Sequence, residues 1–287
     1  MSGLKDLIER PAEWLSGENK ESEIILSCRA RMARNLNKRP FAHGARPEVL
    51  GEIRDEVKGA LANTSSMKDA LVIDMDKISE PDRMILAERH LVTLEMVKNF
   101  SNRCLAVCLD EKMSVMVNEE DHLRLQSIES GLSIKQAFQR VDGFDSELDR
   151  ELSYAFSERL GYLTACTTNV GTGLRISAMV HLPGLVHNKD IGQVLAGLRN
   201  VRLTVRGIYG EGTEVMGNVL QVSNSITLGL SEADTVRDME THIRKVLEFE
   251  KKARMVLLKK ARSLLEDKIW RAYGILRTAR LVTSKES

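Results

Sequence analysis

Residues 173–182 (GLRISAMVHL), 201–210 (VRLTVRGIYG) and 217–224 (GNVLQVSN) are short apolar runs with polar residues between, each carrying glycine at an end. Runs of that length, rich in Val, Ile and Leu and punctuated by Gly, read as strands. One helical pattern, over 189–199, lies among them. Strands that follow one another this closely, with helices interspersed irregularly, point to an α+β fold. The expected sheet is antiparallel and flanked by helices, not doubly wound.

Upstream, SEIILS (22–27) and LVIDM (71–75) read as strands. RCLAVCLD (103–110) and KMSVMVN (112–118) are two apolar runs joined by an acidic turn and predict a hairpin. Apolar residues at Val49, Leu50, Ile53, Val57 and Leu61 give helical spacing over 46–61. Further helices are expected over 78–89 and, as one long stretch, over about 133–159. Residues 1–20 form an amphipathic lead-in. Downstream, one or two helices run from Ser231 to about Leu265, with Ser231-Glu232-Ala233-Asp234 as the N-terminal cap. Residues 244–262 are rich in Lys and Arg, but recurring apolar positions favour a solvated helix packing one face on the body over a nucleic-acid or membrane site. The organisation expected is a catalytic domain over 1–250 and the start of a C-terminal helical segment over 251–287.

The chain has 287 residues, 43% hydrophobic and 29% charged, which is enough apolar material for a real core. Its net charge of +1 gives no global attraction to nucleic acid or anionic membrane. Cys28, Cys104, Cys108 and Cys166 form no CxxC pair and no metal-ligand pattern with His, so no protein metal site is expected. The N-terminus has acidic residues and no apolar h-region, and no stretch approaches the roughly 20 apolar residues of a membrane span. These features read as a cytoplasmic protein with reduced thiols.

GxxxxGK[ST], the Gly-rich loop and HRD set of protein kinases, GxSxG and HExxH are all missing. What recurs instead is arginine beside Gly, Asn or acidic residues at strand ends. The segments are Ser27-Cys28-Arg29-Ala30-Arg31, Asn118-Glu119-Glu120-Asp121-His122-Leu123-Arg124, Cys166-Thr167-Thr168-Asn169-Val170-Gly171-Thr172-Gly173-Leu174-Arg175 and Arg206-Gly207-Ile208-Tyr209-Gly210-Glu211. In an extended chain Arg29 and Arg31 project on one face. Two guanidinium forks side by side suit a polyphosphate, because each grips oxygens bidentately. Taken singly these segments are also compatible with solvated surface arginines and turn glycines. Spacing alone reaches only an anion-binding α+β protein.

In this order, with PF at 40–41 and SNSITLGLSE at 223–232, the segments resemble the signature set of the ATP:guanido phosphotransferases, over about residues 22–250. The resemblance implies an antiparallel catalytic domain that transfers phosphate from MgATP to a guanidinium nitrogen. It implies that Arg29, Arg31, Arg124, Arg175 and Arg206 hold the nucleotide phosphates. Ser27, Cys28 and Ala30 accompany the first pair, the strand Arg175-Ile176-Ser177-Ala178-Met179 carries the fourth, and Gly207, Ile208, Tyr209, Gly210 and Glu211 follow the fifth. Glu120 and Glu211 fall on the family's catalytic glutamates and Cys166 on its reactive cysteine, although Thr167 stands where Pro is frequent. Met179 stands where members acting on small guanidines carry His. His181 faces the same side as Met179 by alternation, and His90 resembles a nucleotide-contacting His of the bacterial branch.

Only 26 residues precede Ser27, too few for the helical domain that closes over free guanidines in creatine and arginine kinases. The chain therefore resembles the bacterial branch whose acceptor is arginine within proteins. That branch implies a zinc-binding activating adaptor, protease–chaperone partners in regulated proteolysis and stress response, and a homodimer. The alternatives are a small-molecule guanidino kinase, a non-catalytic nucleotide-binding scaffold and, more distantly, a nucleic-acid binder through 244–262.

Overall fold

A computed structural model of the chain describes residues 2–207 and 217–283. In chain order the elements are α1 (Ser2–Glu9), β1 (Ile25–Arg34), α2 (Pro47–Ala62), β2 (Leu71–Asp74), α3 (Glu80–Glu88), α4 (Leu94–Lys98), β3 (Cys104–Val107), β4 (Met113–Val117), β5 (Leu123–Ser130), α5 (Ile134–Leu148), β6 (Phe156–Ser157), β7 (Gly161–Tyr162), β8 (Leu174–His181), α6 (Pro183–His187), α7 (Ile191–Asn200), β9 (Leu203–Arg206), β10 (Val219–Asn224) and α8 (Glu232–Thr278). Among the described residues, eight strands form one sheet in the order β2-β3-β4-β5-β1-β8-β10-β9. Every recorded pairing in it is antiparallel. The expected α+β architecture is therefore the observed one.

Alternation divides the sheet. Cys28, Ala30 and Met32 of β1, Leu123 and Leu125 of β5, and Ile176, Ala178 and Val180 of β8 turn to one face. There they join a core with Ile53 and Val57 of α2, Val141 and Phe144 of α5, and Met239 and Ile243 of α8. On the other face a second cluster covers only the β2–β4 end. Leu7 of α1, Leu86 of α3 and Met96 of α4 lie there against Leu105, Val107 and Met116. On the remaining strands, β5-β1-β8-β10-β9, Ala12 and Trp14 cover Ile128 and Met179 of the second face, and the rest of that face lines a cleft.

Local signals account for most boundaries. Ser231 accepts a hydrogen bond from the Asp234 amide and caps α8, as its sequence predicts. Helix α8 is non-helical at Ala261, so two helical stretches meet at a kink. The long helix expected over 133–159 is shorter: α5 ends at Leu148, and Leu36 bridges Tyr154 before β6 and β7 form a hairpin. Ser153, Gly161 and the aromatic pair Tyr154–Tyr162 suit that extended return better than a helix, and the two rings meet edge-on below the end of β1. Strand β5 is not among the strands expected from the sequence, yet it lies in the middle of the sheet between β4 and β1. Strand β1 runs on through the arginine pair to Arg34, beyond the expected end at 27.

Candidate active site

Register brings the arginines together. Arg31 lies directly opposite Arg175 across β1 and β8, and Arg29 opposite Ser177. Arg124 of β5 faces Ala33, one step along from the Gln126 that faces Arg31. Arg206 of β9 faces Gln221 of β10, which in turn faces Met179. Directly opposed residues of an antiparallel pair share a face, so four strands place five guanidinium groups on one surface. Among the described residues neither Arg29 nor Arg31 has a hydrogen-bond acceptor or a carboxylate at ion-pair distance. Burial, then Arg124 and Arg175, pulls Arg29 down to about 10. Burial, then Arg29, Arg124 and Arg175, holds Arg31 well below the ordinary guanidinium range, against a smaller opposing pull from Glu119. A guanidinium does not give up its proton in a protein, so these directions express crowded positive charge that a polyanion would relieve.

Two clefts meet on this surface. One, of about 400 Å³, runs between Arg29, Arg31, Arg175 and Arg206 and the α3–α4 wall at Met84, His90 and Leu94. The other, of about 390 Å³, has Glu120, Arg124, Cys166 and Asn169 on its walls. Arg31, Arg175 and Arg206 line both. A larger groove of about 810 Å³ between α7 and α8 contains none of these residues.

The Asn118–His122 turn presents one carboxylate and buries the rest. Asn118 adopts a left-handed φ of 60°, which Asn tolerates. Its amide nitrogen donates to the Leu50 and Asn102 carbonyls at 2.8 and 2.9 Å. Glu119 is buried, pairs with Arg124 at 2.8 Å, and accepts from the Thr93 hydroxyl and the Glu120 amide. Asp121 accepts from Asn35 at 2.6 Å and from the Ala165 amide at 2.7 Å. His122 Nδ1 accepts from the Leu36 amide, which leaves Nε2–H to donate to the Pro40 carbonyl at 2.9 Å. Only Glu120 reaches the cleft, with its side chain 40% exposed and its carboxylate 2.7 Å from Arg124. Burial raises its pKa, Arg124 opposes this, and the neighbouring Asp121 and Glu119 charges add to the rise.

The 166–173 loop forms the opposite wall. Cys166 is partly exposed, with Sγ 3.0 Å from the Thr168 hydroxyl. Thr227 donates to the Val170 carbonyl at 2.7 Å and its own carbonyl accepts from the Thr172 amide, so the 223–232 motif pins this loop. Asn224 of the same motif accepts from the Ile176 amide and donates to the Leu174 carbonyl, closing the end of β8. Gly173 has φ 65°, and a Cβ there would stand 2.7 Å from the Ala33 carbonyl oxygen; Gly171 approaches Thr227 as closely. Both glycines are what lets the loop lie against β1 and the 223–232 segment. Beneath them Arg34, fully buried, forms a fork to Asp145 with its shortest contact at 2.6 Å, donates to the Thr172 carbonyl at 2.9 Å, and lies over the Tyr162 ring.

The sequence-nominated residues divide by face. Arg29, Arg31, Arg124, Arg175, Arg206, Ser27, Ser177, Met179 and His90 line the clefts or the small pocket beside them. The side chains of Cys28, Ala30, Ile176 and Ala178 turn into the core. Alternation sends every second side chain of a strand to the opposite face, so at these four positions only the backbone lies in the sheet beneath the cleft. Gly207 is buried just after β9. Ile208, Tyr209, Gly210 and Glu211 lie outside the described residues. His90 holds φ 59°, its carbonyl accepts from Gln126, and its ring packs at a tilt on Trp14. Burial, then Arg29, pushes its pKa down to about 4, so the ring is neutral at physiological pH. His181 shares the cleft-side alternation of β8, but its carbonyl accepts from Arg254 and it lines none of these clefts. Sequence reasoning missed the holding roles of Asn35, His122 and Thr227, whose partners are mostly far away in the chain.

Residues 52–253 match the family model described as the C-terminal catalytic domain of ATP:guanido phosphotransferases. A protein-arginine kinase of Pelotomaculum thermopropionicum is 42% identical over 279 residues, covering 96% of this chain and 78% of that protein. A protein-arginine kinase of Bacillus cereus is 40% identical over 289 residues, covering 100% of this chain and 81% of that protein. Among solved structures, the substrate-free duplicated taurocyamine kinase of Schistosoma mansoni superposes with a TM-score of 0.69 at 27% identity, covering 86% of this chain and 36% of that one. Lombricine kinase superposes with a TM-score of 0.73 at 24% identity, over 85% of this chain and 71% of that one, a likeness of fold. The chain belongs to the ATP:guanido phosphotransferase family.

Proposed function

We propose that this protein transfers the γ-phosphoryl group of ATP to arginine side chains in proteins. The observation that carries the reading is the shared wall of Arg31, Arg175 and Arg206 between a nucleotide-sized cleft and a second cleft holding Glu120. Phosphoryl transfer asks for positioning and charge neutralisation more than for covalent help, and guanidinium forks give both. Relatives at 40–42% identity over most of their length are protein-arginine kinases, which supports arginine in proteins as the acceptor.

In this reading the polyphosphate lies across Arg29, Arg31, Arg175 and Arg206, and the acceptor guanidinium enters beside Glu120 and Cys166. The acceptor's ordinary pKa is roughly 12.5–13.8, so it attacks only as a proton leaves. Glu120 takes that proton while nitrogen bonds to Pγ and the bridging oxygen departs with ADP. Its raised pKa favours the task. Arg124 now pairs with Glu120; incoming phosphate oxygens offer Arg124 another partner and free the carboxylate. Glu211 supplies a second carboxylate and Cys166 orients the acceptor, both by family resemblance. Mg²⁺ carried on the phosphates would add charge neutralisation.

The same resemblance extends the proposal to a zinc-binding activator, protease–chaperone partners and a homodimer. We place the catalytic unit at 1–250 and the start of a helical segment at 251–287, since Ala253 is the last buried residue of α8. No helix among the described residues is long and apolar enough to cross a membrane; the cytoplasm is the setting proposed, with all four cysteines as thiols. The test is a competition: purified protein, MgATP, an arginine-rich protein and free arginine. Phosphorylation of the protein at a kcat/KM well above that for free arginine is expected. Preference for the free amino acid would make this chain a metabolite kinase.

A further inference from the structure

Trp14 precedes the stretch that the family model covers, 52–253, and stands in the short 3-10 turn Glu13–Leu15 ahead of β1. It packs with Ile128 of β5 and Met179 of β8, and its ring lies 5.5 Å from that of His90. The residue is 6% exposed. Its indole Nε1–H is a buried donor with no acceptor among the described residues. Buried indole nitrogens usually have a partner, and leaving one unmet is costly.

Trp14 borders a pocket of about 20 Å³ that Ser27, Arg29, His90, Met179 and Gln221 help to line. A space of that size holds about one water. Arg29, His90 and Gln221 also line the nucleotide cleft, whereas no residue of the pocket lines the Glu120 cleft. A triphosphate whose γ end reaches Arg31, Arg175 and Arg206 beside Glu120 therefore points its base towards Trp14.

We propose that Trp14 is a base-recognition residue: its Nε1–H donates, through one bridging water, to a ring-nitrogen acceptor of the purine. This rests on the nucleotide-site reading above. The indole completes a subsite in which Arg29 holds phosphate on one side and the Trp14–His90 pair meets the base on the other. The N-terminal lead-in thereby becomes part of the active site.

Calorimetric titration of the full chain with MgATP and with magnesium tripolyphosphate, in wild type and Trp14→Phe, tests this. Phe keeps the packing and removes the donor. ATP affinity is expected to fall about 3- to 10-fold, with tripolyphosphate affinity unchanged. Unchanged ATP affinity would overturn the inference, and so would equal weakening towards both ligands, which marks a structural plug. If Trp14→Phe does not fold, the chain's other tryptophan, Trp270, is removed instead; it is exposed on the outer part of α8. In Trp270→Phe the emission of Trp14 is expected to change with ATP and not with tripolyphosphate, and an emission blind to ATP would overturn the inference. Wild-type protein that binds neither ligand would sink the nucleotide-site reading itself, a failure distinct from loss of the Trp14 effect alone.

Discussion

On one face of β1, Cys28, Ala30 and Met32 are fully buried in a core shared with α2, α5 and α8. On the other, Arg29 and Arg31 stand in a cleft with Arg124 and Arg175 close enough to depress their pKa values. The same backbone hydrogen bonds serve both faces. One face gains stability from apolar burial. The other gathers like charges, which costs stability in the absence of an anion. Substitutions should divide along the same line: core-face changes should alter folding, and cleft-face changes should alter chemistry while leaving stability unchanged or improved.

The largest effect expected on the cleft face is Glu120→Gln, with phosphorylation falling about 10²- to 10⁴-fold and the thermal midpoint nearly unmoved. Comparable losses of activity and midpoint would assign Glu120 to structure. Arg34 is the counterpart on the core face. Its fork to Asp145 is buried, and Arg34→Ala should cost about 3–5 kcal/mol in chemical denaturation by stranding a buried carboxylate. Joint replacement of both partners by apolar residues should cost less. Arg31→Met sharpens the contrast further. MgATP affinity should fall roughly 10- to 100-fold, while the ligand-free midpoint should rise, because a guanidinium disfavoured in the folded state is gone. A lower ligand-free midpoint would refute the crowding argument. The smallest effect concerns pH. A base acts deprotonated, so the raised pKa of Glu120 should place the acid limb of the rate profile above the range of an ordinary glutamate. Glu119→Gln should move that limb down, since it removes a neighbouring negative charge.

Much of this division was legible in the sequence. Alternation in SCRARMAR put Arg29 and Arg31 on one face from spacing alone, and the glycine-broken strands gave the antiparallel sheet. The ordered motifs supplied Glu120 and the other arginines through resemblance, which spacing could not. Strand β5 escaped because its alternation does not last: Ser127 and Glu129 follow Leu123 and Leu125 on the core face, and Ile128 lies on the other. Leu123 and Leu125 alternate with Arg124 and Gln126, a period-2 signal that its neighbours in the acidic turn disguised. The 149–162 return escaped because its reason to leave the helix is tertiary: Tyr162 lies under Arg34, which pairs with Asp145 far along the chain. The Asn35–Asp121 bond and the Trp14 pocket likewise join segments that no local pattern connects.

The arginine face is proposed to transfer phosphate to guanidinium nitrogen in proteins. ³¹P NMR of an arginine-rich protein after incubation with the enzyme and MgATP, repeated with Glu120→Gln, reads the product itself. A phosphoramidate resonance on the protein is expected, lost in acid and absent with the variant. An acid-stable phosphoester resonance, or a phosphoramidate equally strong with Glu120→Gln, would contradict it.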